Sequence, residues 1–216
     1  KVILVATGGH PERPDIPGIE HSITSNEAFH LPHLPRRVAV VGGGYIAVEF
    51  AGIFNGLGAK THLLYRGAPV LRGFDDDVRS FVGEELRKKG IDLRTDTDVE
   101  AIEKSGGALR LKLKGGAALE VDCVLYATGR VPNTRGMGLE AAGVALNRRG
   151  AVEVDGYSRS SVDGIYAIGD CTDRLNLTPV AIREAMAFTA TVFGGTPWSM
   201  DHSNVPHAVF SQPPVA

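Results

Sequence analysis

The chain has very little cysteine: two thiols, Cys123 and Cys171, in 216 residues. They lie far apart and form neither a C-x-x-C nor a metal-ligand spacing. That excludes a disulfide-stapled scaffold and a redox pair built from this chain alone, and no metal is expected. Each reads instead as small apolar filler, since free cysteine is commonly buried. A reducing cytoplasm is the simplest compartment. Long apolar runs are also missing. None reaches membrane-spanning length and none follows the signal-peptide pattern, so no membrane partner is expected. Charge of one sign is missing too. The net charge is −2 and the lysines and arginines form no stripe, which argues against nucleic acid as a partner. Lys1 leads directly into Val2-Ile3-Leu4-Val5, and Phe210-Ser211-Gln212-Pro213-Pro214 nearly ends the chain. A piece of a longer protein is the expectation. At this length the chain can bury a core, as one large domain or two small ones.

What is present starts at Val38. Val-Ala-Val-Val runs into Gly42-Gly43-Gly44 and then, without a polar break, into Tyr45-Ile46-Ala47-Val48-Glu49. Gly42, Gly44 and Ala47 fit G-x-G-x-x-A, the phosphate-cradling turn of a dinucleotide-binding βαβ unit. Gly42 allows a tight turn, Gly44 lets backbone approach a pyrophosphate, and Ala47 lets helix and strand pack closely. The free N–H groups and the positive helix end then hold the anion.

The next strand, Lys60 to Tyr65, identifies the nucleotide. An NAD site places Asp or Glu about 20 residues after the turn, on the ribose hydroxyls. Here the strand ends in Tyr65, with Arg66 next and Arg72 shortly after. A carboxylate would repel a 2′-phosphate, whereas two guanidiniums would bind it. NADP is favoured over NAD; the competing reading is two solvated surface arginines.

Periodicity supplies the remaining elements. Val2 to Val5 reads as a buried strand before Thr7-Gly8-Gly9, and a Pro-rich connection with a polar-capped stretch at Ser25 to Phe29 follows. The first helix of the nucleotide unit spans about Tyr45 to Leu57, stopped by Gly58. A second begins at Asp75-Asp76-Asp77 and ends at Arg87-Lys88-Lys89 before Gly90, both ends matched to the helix dipole. After the strand Ile91 to Arg94, three alternating segments (99–103, 109–114 and 118–122) with Gly-Gly turns predict an antiparallel meander. Val124 to Ala127 is another buried strand. After Gly150 come a short polar strand, the strand Ile165 to Ile168, and an apolar helix over about Pro179 to Phe193. Ala6-Thr7-Gly8 and Ala127-Thr128-Gly129 repeat the same strand ending. The fold class is therefore α/β: a Rossmann-like nucleotide domain of parallel sheet plus antiparallel meander, with flanking segments.

Tyr45 and Glu49 share one face of the first helix. That helix is apolar nearly all round and so is expected to be buried. A buried Glu49 requires a cation; an exposed Glu49, or one serving only the helix N-terminus, is the other reading. For Tyr45 the plain reading is packing. The seven histidines show no pairing pattern; those in loops read as solvated, and His62 alternates within a strand.

Four stretches together resemble the FAD-dependent pyridine nucleotide–disulfide oxidoreductases: Ala6-Thr7-Gly8-Gly9, Gly42 to Glu49, Ala127-Thr128-Gly129-Arg130-Val131-Pro132, and Ala167-Ile168-Gly169-Asp170. With Arg66, Arg72 and Leu71-Arg72-Gly73-Phe74-Asp75, the chain looks most like the glutathione reductase branch; trypanothione, mercuric and lipoamide reductases are neighbours, and a non-catalytic nucleotide-binding module is the rival outside enzymes. The resemblance implies four segments. Residues 1–35 would end a first FAD-domain segment, 36–149 would be the NADPH domain, 150–202 a second FAD segment, and 203–216 the start of a dimer-interface domain. It implies NADPH at Gly42, Gly43, Gly44, Tyr45, Ile46, Ala47, Glu49, Arg66, Arg72, Thr128, Gly129 and Arg130. It implies FAD at Thr7, Gly8, Gly169, Asp170, Leu177 and Thr178. Tyr45 would be a flap over the nicotinamide pocket, and Glu49 would meet a flavin-side lysine. It also implies a homodimer, glutathione disulfide as substrate, and a cysteine pair outside this chain, without which the chain alone is inactive.

Overall fold

Val38, Val40, Leu63 and Leu125 face one way and Ala39, Val41, Leu64 and Val124 the other, and all are buried. Strands covered on both faces read as unbroken apolar runs, and that is the pattern of this sheet. The computed structural model describes residues 1–216. In chain order it holds β1 (Ile3–Val5), β2 (Gly9–Pro11), α1 (Ser25–Ala28), β3 (Arg37–Val41), α2 (Tyr45–Gly56), β4 (Lys60–Leu64), α3 (Asp76–Lys88), β5 (Asp92–Arg94), β6 (Val99–Ser105), β7 (Ala108–Leu113), β8 (Ala118–Val121), β9 (Cys123–Tyr126), β10 (Arg130–Pro132), β11 (Ile165–Ala167) and α4 (Thr178–Val192). Two compact units result, residues 11–129 with 207–216, and residues 1–10 with 130–206.

The first unit has three layers. Its parallel sheet runs β5-β4-β3-β9. On one face α2 packs through Ala47, Val48, Ala51 and Phe54, and α3 through Val82 and Leu86. On the other face lies the antiparallel meander β6-β7-β8, contributing Val99, Ile102, Leu111, Leu113, Leu119 and Val121. Capping sets the helix limits. The Asp75 side chain accepts the Asp77 N–H at 2.9 Å to open α3, and Gly90 leaves it at φ +86°. Thr24 and Glu27 form a capping box on α1, and the Thr24 hydrogen bonds hold the Glu27 carboxyl below its ordinary range.

Two expectations change here. α2 is not buried all round: Ile53 is 50% exposed, and Leu57, just past its end, is 63% exposed. The unit also reaches further along the chain than residues 36–149. Ile23 bridges to Leu125 and brings the Pro-rich connection onto the sheet edge. Val209 pairs with Val215 and is fully buried in the helix-side core, so residues 207–216 belong here. Residues 130–149 leave, because β10 pairs with β2.

The second unit is sparser. β1 and β11 pair in parallel, and the core gathers Val5, Leu139, Val144, Val152, Ala167 and Cys171. β1 is not the buried strand expected: Ile3 and Leu4 are exposed, since β11 is its one strand partner. The polar strand expected after Gly150 is reduced to isolated bridges, Leu146 to Val152 and Arg159 to Tyr166. The Asp155 carboxylate accepts the N–H groups of Tyr157 and Arg159 and bends the chain there.

The connection from Pro11 is held to the meander at one tight point. Gly18 has φ +80°, and a Cβ on it would lie 1.8 Å from the Ile102 carbonyl oxygen. Gly18→Ala is expected to cost about 2 kcal/mol or more through strain at a left-handed position and backbone overlap. A thermal unfolding series checks this; an unchanged midpoint would refute it.

Candidate functional site

The three glycines after β3 are small for three different reasons. Gly42 sits at φ +144°, and a Cβ there would lie 2.3 Å from the Ala127 carbonyl oxygen and 3.2 Å from the Ala47 side chain. Gly43 has the Tyr65 ring against it, 2.4 Å from where a Cβ would stand. Gly44 is extended, is exposed, and has open space where its side chain would be. Gly44 therefore fits the close approach of a phosphate. The role of Gly43 could not be read from sequence, because it depends on a ring more than 20 residues away.

α2 opens at Tyr45 with no side-chain cap and no acid in its first turn. The N–H groups of a first turn lack intrahelical acceptors. An uncapped turn beside an open glycine is suited to an anion. The loop after β4 is fastened to the same place: the Leu71 N–H donates to the Gly43 carbonyl at 2.6 Å, and Leu71 is fully buried. Arg66 and Arg72, on this loop, are exposed and form no ion pair or hydrogen bond within the chain. β9 lies beside β3, and its continuation brings Thr128 and Gly129 to the same sheet edge. There the Thr128 hydroxyl donates to the Glu12 carbonyl at 3.2 Å, and the Glu12 N–H donates to the Gly129 carbonyl at 2.9 Å. The structure thus gathers Gly42, Gly43, Gly44, Tyr45, Ile46, Ala47, Tyr65, Arg66, Arg72, Thr128 and Gly129 at the carboxyl edge of one parallel sheet, where ligands of open α/β sheets bind.

Glu49 differs from the buried-acid expectation. It is half-buried, and its Oε1 accepts the Phe210 backbone N–H at 3.0 Å, so no cation is required to keep it. Arg130 falls in the other unit, where its guanidinium donates to the Gly9 carbonyl and lies 3.8 Å from the Asp170 carboxylate. That unit also holds Thr7, Gly8, Gly169, Asp170, Leu177 and Thr178. Asp170 sits on a 3-10 turn, Gly169–Thr172, and a Cβ on Gly9 would lie 3.3 Å from the Asp170 side chain. Leu177 and Thr178 open α4, which has no side-chain cap.

Behind Asp170 is a cluster that sequence reading missed. Glu184 is 2% exposed; its Oε2 accepts the Gly169 N–H at 2.6 Å, and its Oε1 meets Arg174 at 3.0 Å and His202 Nε2 at 2.7 Å. A signal was available, since Glu184 stands among apolar residues from Val180 to Phe188, with Arg183 beside it, much as Glu49 does in the first helix. The solvated reading of the loop histidines is corrected at His202, and the absence of a pairing pattern is corrected there and at His62. His202 holds Glu184, and His62 is buried with Nδ1 2.8 Å from Asp92 Oδ2, its neighbour across β4 and β5. Burial pushes the Asp92 carboxyl up, but the Arg94 and His62 hydrogen bonds outweigh it and the net shift is downward.

The profile of the family described as pyridine nucleotide–disulphide oxidoreductase matches residues 1–185. The chain belongs to this family. A glutathione reductase of Burkholderia cepacia is 57% identical across the whole chain, which covers 48% of that protein. A trypanothione reductase of Trypanosoma congolense is 48% identical over 99% of the chain and 44% of its own length. The HOCl-induced flavoprotein disulfide reductase RclA of Escherichia coli superposes with a TM-score of 0.93 at 34% identity, over 99% of this chain and 50% of that one. The chain thus spans about half the length of the relatives it matches.

Membership implies a flavin and a nicotinamide nucleotide as cofactors, and it makes the two cysteines worth weighing. Both are buried and free. Burial, aided by the Asp122 charge, pushes the Cys123 thiol up to about 11. Burial also raises Cys171, whose Sγ donates to the Ile168 carbonyl at 3.1 Å. A thiolate is the reactive form, so neither serves as a redox thiol near neutrality. The ordinary value for Cys123 is 9.0, so above about pH 9 the unfolded thiol ionises first, and native stability falls between pH 9 and about 11. At pH 8 neither cysteine of the native chain is expected to react with a thiol alkylator, while both react in denaturant. Mass spectrometry counts the adducts; native labelling of either would refute the assignment.

Proposed function

We propose that this chain is the NADPH-handling portion of a flavoprotein disulfide reductase whose substrate is glutathione disulfide. The observation that carries the nucleotide reading is the joining of two features. An uncapped helix start open at Gly44 is tied, through Leu71 and Gly43, to a loop bearing two arginines with no partner in the chain.

In this reading the first turn of α2 holds the pyrophosphate on backbone N–H groups. Arg66 and Arg72 hold the 2′-phosphate. Tyr45, at the head of α2, covers the nicotinamide pocket, and Glu49, one turn further along the same face, supports it. Thr128 and Gly129 line the edge contributed by β9. The other unit, with Asp170, Gly169, Thr7, Gly8, Leu177 and Thr178, takes part in flavin binding, and Arg130 steadies Asp170 there. When both cofactors are bound, the nicotinamide supplies a hydride and the flavin accepts it. A cysteine pair outside these residues would pass the electrons to the disulfide. A cytoplasmic homodimer is the accompanying proposal; no helix is long and apolar enough to cross a membrane. The glutathione reading rests on the Burkholderia cepacia relative, and the trypanosomal relative keeps trypanothione as the competing substrate.

Each charge-assisted contact to the extra phosphate is worth about 1.5–3 kcal/mol. The full chain should therefore bind NADPH at least about tenfold more tightly than NADH. Combining Arg66→Ala and Arg72→Ala with Tyr65→Glu should remove or reverse that ratio in a calorimetric titration. A ratio that does not move would mean the phosphate is held elsewhere. The 216 residues alone should also fail to oxidise NADPH when glutathione disulfide is added. Steady loss of the 340 nm absorbance of NADPH (on the order of one turnover per second, the low end of ordinary enzymes) would show that a complete electron path lies within them.

A further inference from the structure

Arg66 and Arg72 are on the surface, yet the loop that carries them is pinned along its backbone. The Leu71 N–H donates to Gly43, the Gly67 carbonyl accepts from Asp96 at 3.2 Å, and the Tyr65 carbonyl accepts from Thr97 at 3.0 Å. One further fastening comes from a side chain. Arg79, on the first turns of α3, donates from Nε to the Val70 carbonyl at 3.0 Å and from Nη2 to the Pro69 carbonyl at 3.0 Å. Its Nη1 donates to Asp76 at 2.6 Å, which orients the fork. The Arg79 side chain is 16% exposed, so this is not a solvated surface arginine. A planar guanidinium can hold two neighbouring carbonyls at once, and an ammonium cannot do so in the same fixed geometry.

Those two carbonyls immediately precede the strained residue of the loop. Leu71 has φ +57°, a left-handed conformation uncommon for residues other than glycine, asparagine and aspartate. It persists because its side chain is buried, its N–H is taken by Gly43, and its carbonyl accepts the Phe74 N–H at 3.0 Å. That last bond closes a turn with Arg72 and Gly73 in the middle, and Gly73 supplies the φ of +98°. The course of the chain at Arg72 is therefore inherited from Leu71, and that of Leu71 from Gly43 on one side and Arg79 on the other.

We propose that Arg79 is a positioning residue for nucleotide choice: it touches no part of the nucleotide, but it pre-sets the loop so that Arg72 meets the 2′-phosphate without being ordered on binding. The proposal rests on the NADPH reading above. Its physical basis is that ordering a mobile, rotamer-rich side chain at the moment of binding costs affinity, and a loop fixed during folding avoids that cost.

The test titrates the full chain and Arg79→Met, which keeps the apolar stem and loses the fork. The probes are adenosine 2′,5′-bisphosphate and 5′-AMP, which differ only in the extra phosphate. Arg79→Met should weaken the bisphosphate roughly tenfold, about one charge-assisted contact, and leave 5′-AMP unchanged. Adding Arg72→Ala to Arg79→Met should cost less than Arg72→Ala costs alone, because both remove the same contact. Equal weakening of the two probes, or full additivity with Arg72→Ala, overturns the proposal and leaves Arg79 a merely structural residue. An unmodified chain that does not tell the probes apart overturns the NADPH reading and the proposal with it. Discrimination undiminished by Arg79→Met overturns the proposal alone. Should Arg79→Met fail to fold, Arg79→Lys keeps stem and charge, and the same selective loss is expected in smaller measure.

Discussion

The close approach of Gly42 to the Ala127 carbonyl is the contact on which the nucleotide unit depends. Three pieces of chain meet there: the end of β3, the start of α2 and the end of β9. A Cβ would stand 2.3 Å from that oxygen, so any side chain would push β9 away from β3 or tilt α2 off the sheet. Each movement would open the carboxyl edge of the sheet, where Thr128 and Gly129 continue from β9. Gly43 repeats the argument against the Tyr65 ring, which couples β4 to the same turn. Three of the four strands of the sheet, β4, β3 and β9, are thereby referred to one small region of backbone.

Charge then decides what that region can receive. An acid in the first turn of α2 would compete with a phosphate for the helix end, and none is there. Elsewhere in the unit several guanidiniums are occupied internally: Arg37 by Asp122 and Glu120, Arg94 by Asp92, Arg79 by Asp76 and two carbonyls. Arg66 and Arg72 are not, but neither is Arg110, so lack of a partner does not by itself mark a site. What separates the first two is their loop, fastened to the glycine turn through Leu71. Position relative to the glycine turn distinguishes them, and charge alone does not.

The sheet, the meander and the main helices were legible because their signals are local. Periodicity switched at Val99, glycines marked both turns of the meander, and Asp75 and Gly90 bounded α3. The failures are non-local. Apolar content reports that a surface is costly in water, and it does not report which chain covers it; hence Ile53, Leu57, Ile3 and Leu4 read as buried and are exposed. The polar segment after Gly150 alternates like a strand, but Asp155 satisfies the backbone locally and competes with the ladder. His62 showed no partner in sequence because Asp92 is 30 residues away and becomes a neighbour only through strand register. Glu184 carries a legible signal, an acid inside a largely apolar helix, but its partners Arg174 and His202 are brought to it only by the fold.

This stretch is shared by proteins named for different substrates. Proteins named for two different disulfides match it end to end at 57% and 48% identity, and a reductase named for neither keeps the same backbone at 34%. Residues that distinguish one disulfide from another must differ between such enzymes. The glycine turn and the sheet behind it are under the opposite demand, because a Cβ at Gly42 is excluded whatever the final electron acceptor. Buried thiols at Cys123 and Cys171 fit this division: they fill space beside the sheet and under Asp170 and are poor nucleophiles near neutrality. Under the NADPH reading proposed above, the constraints on the nucleotide gather on one edge of one sheet.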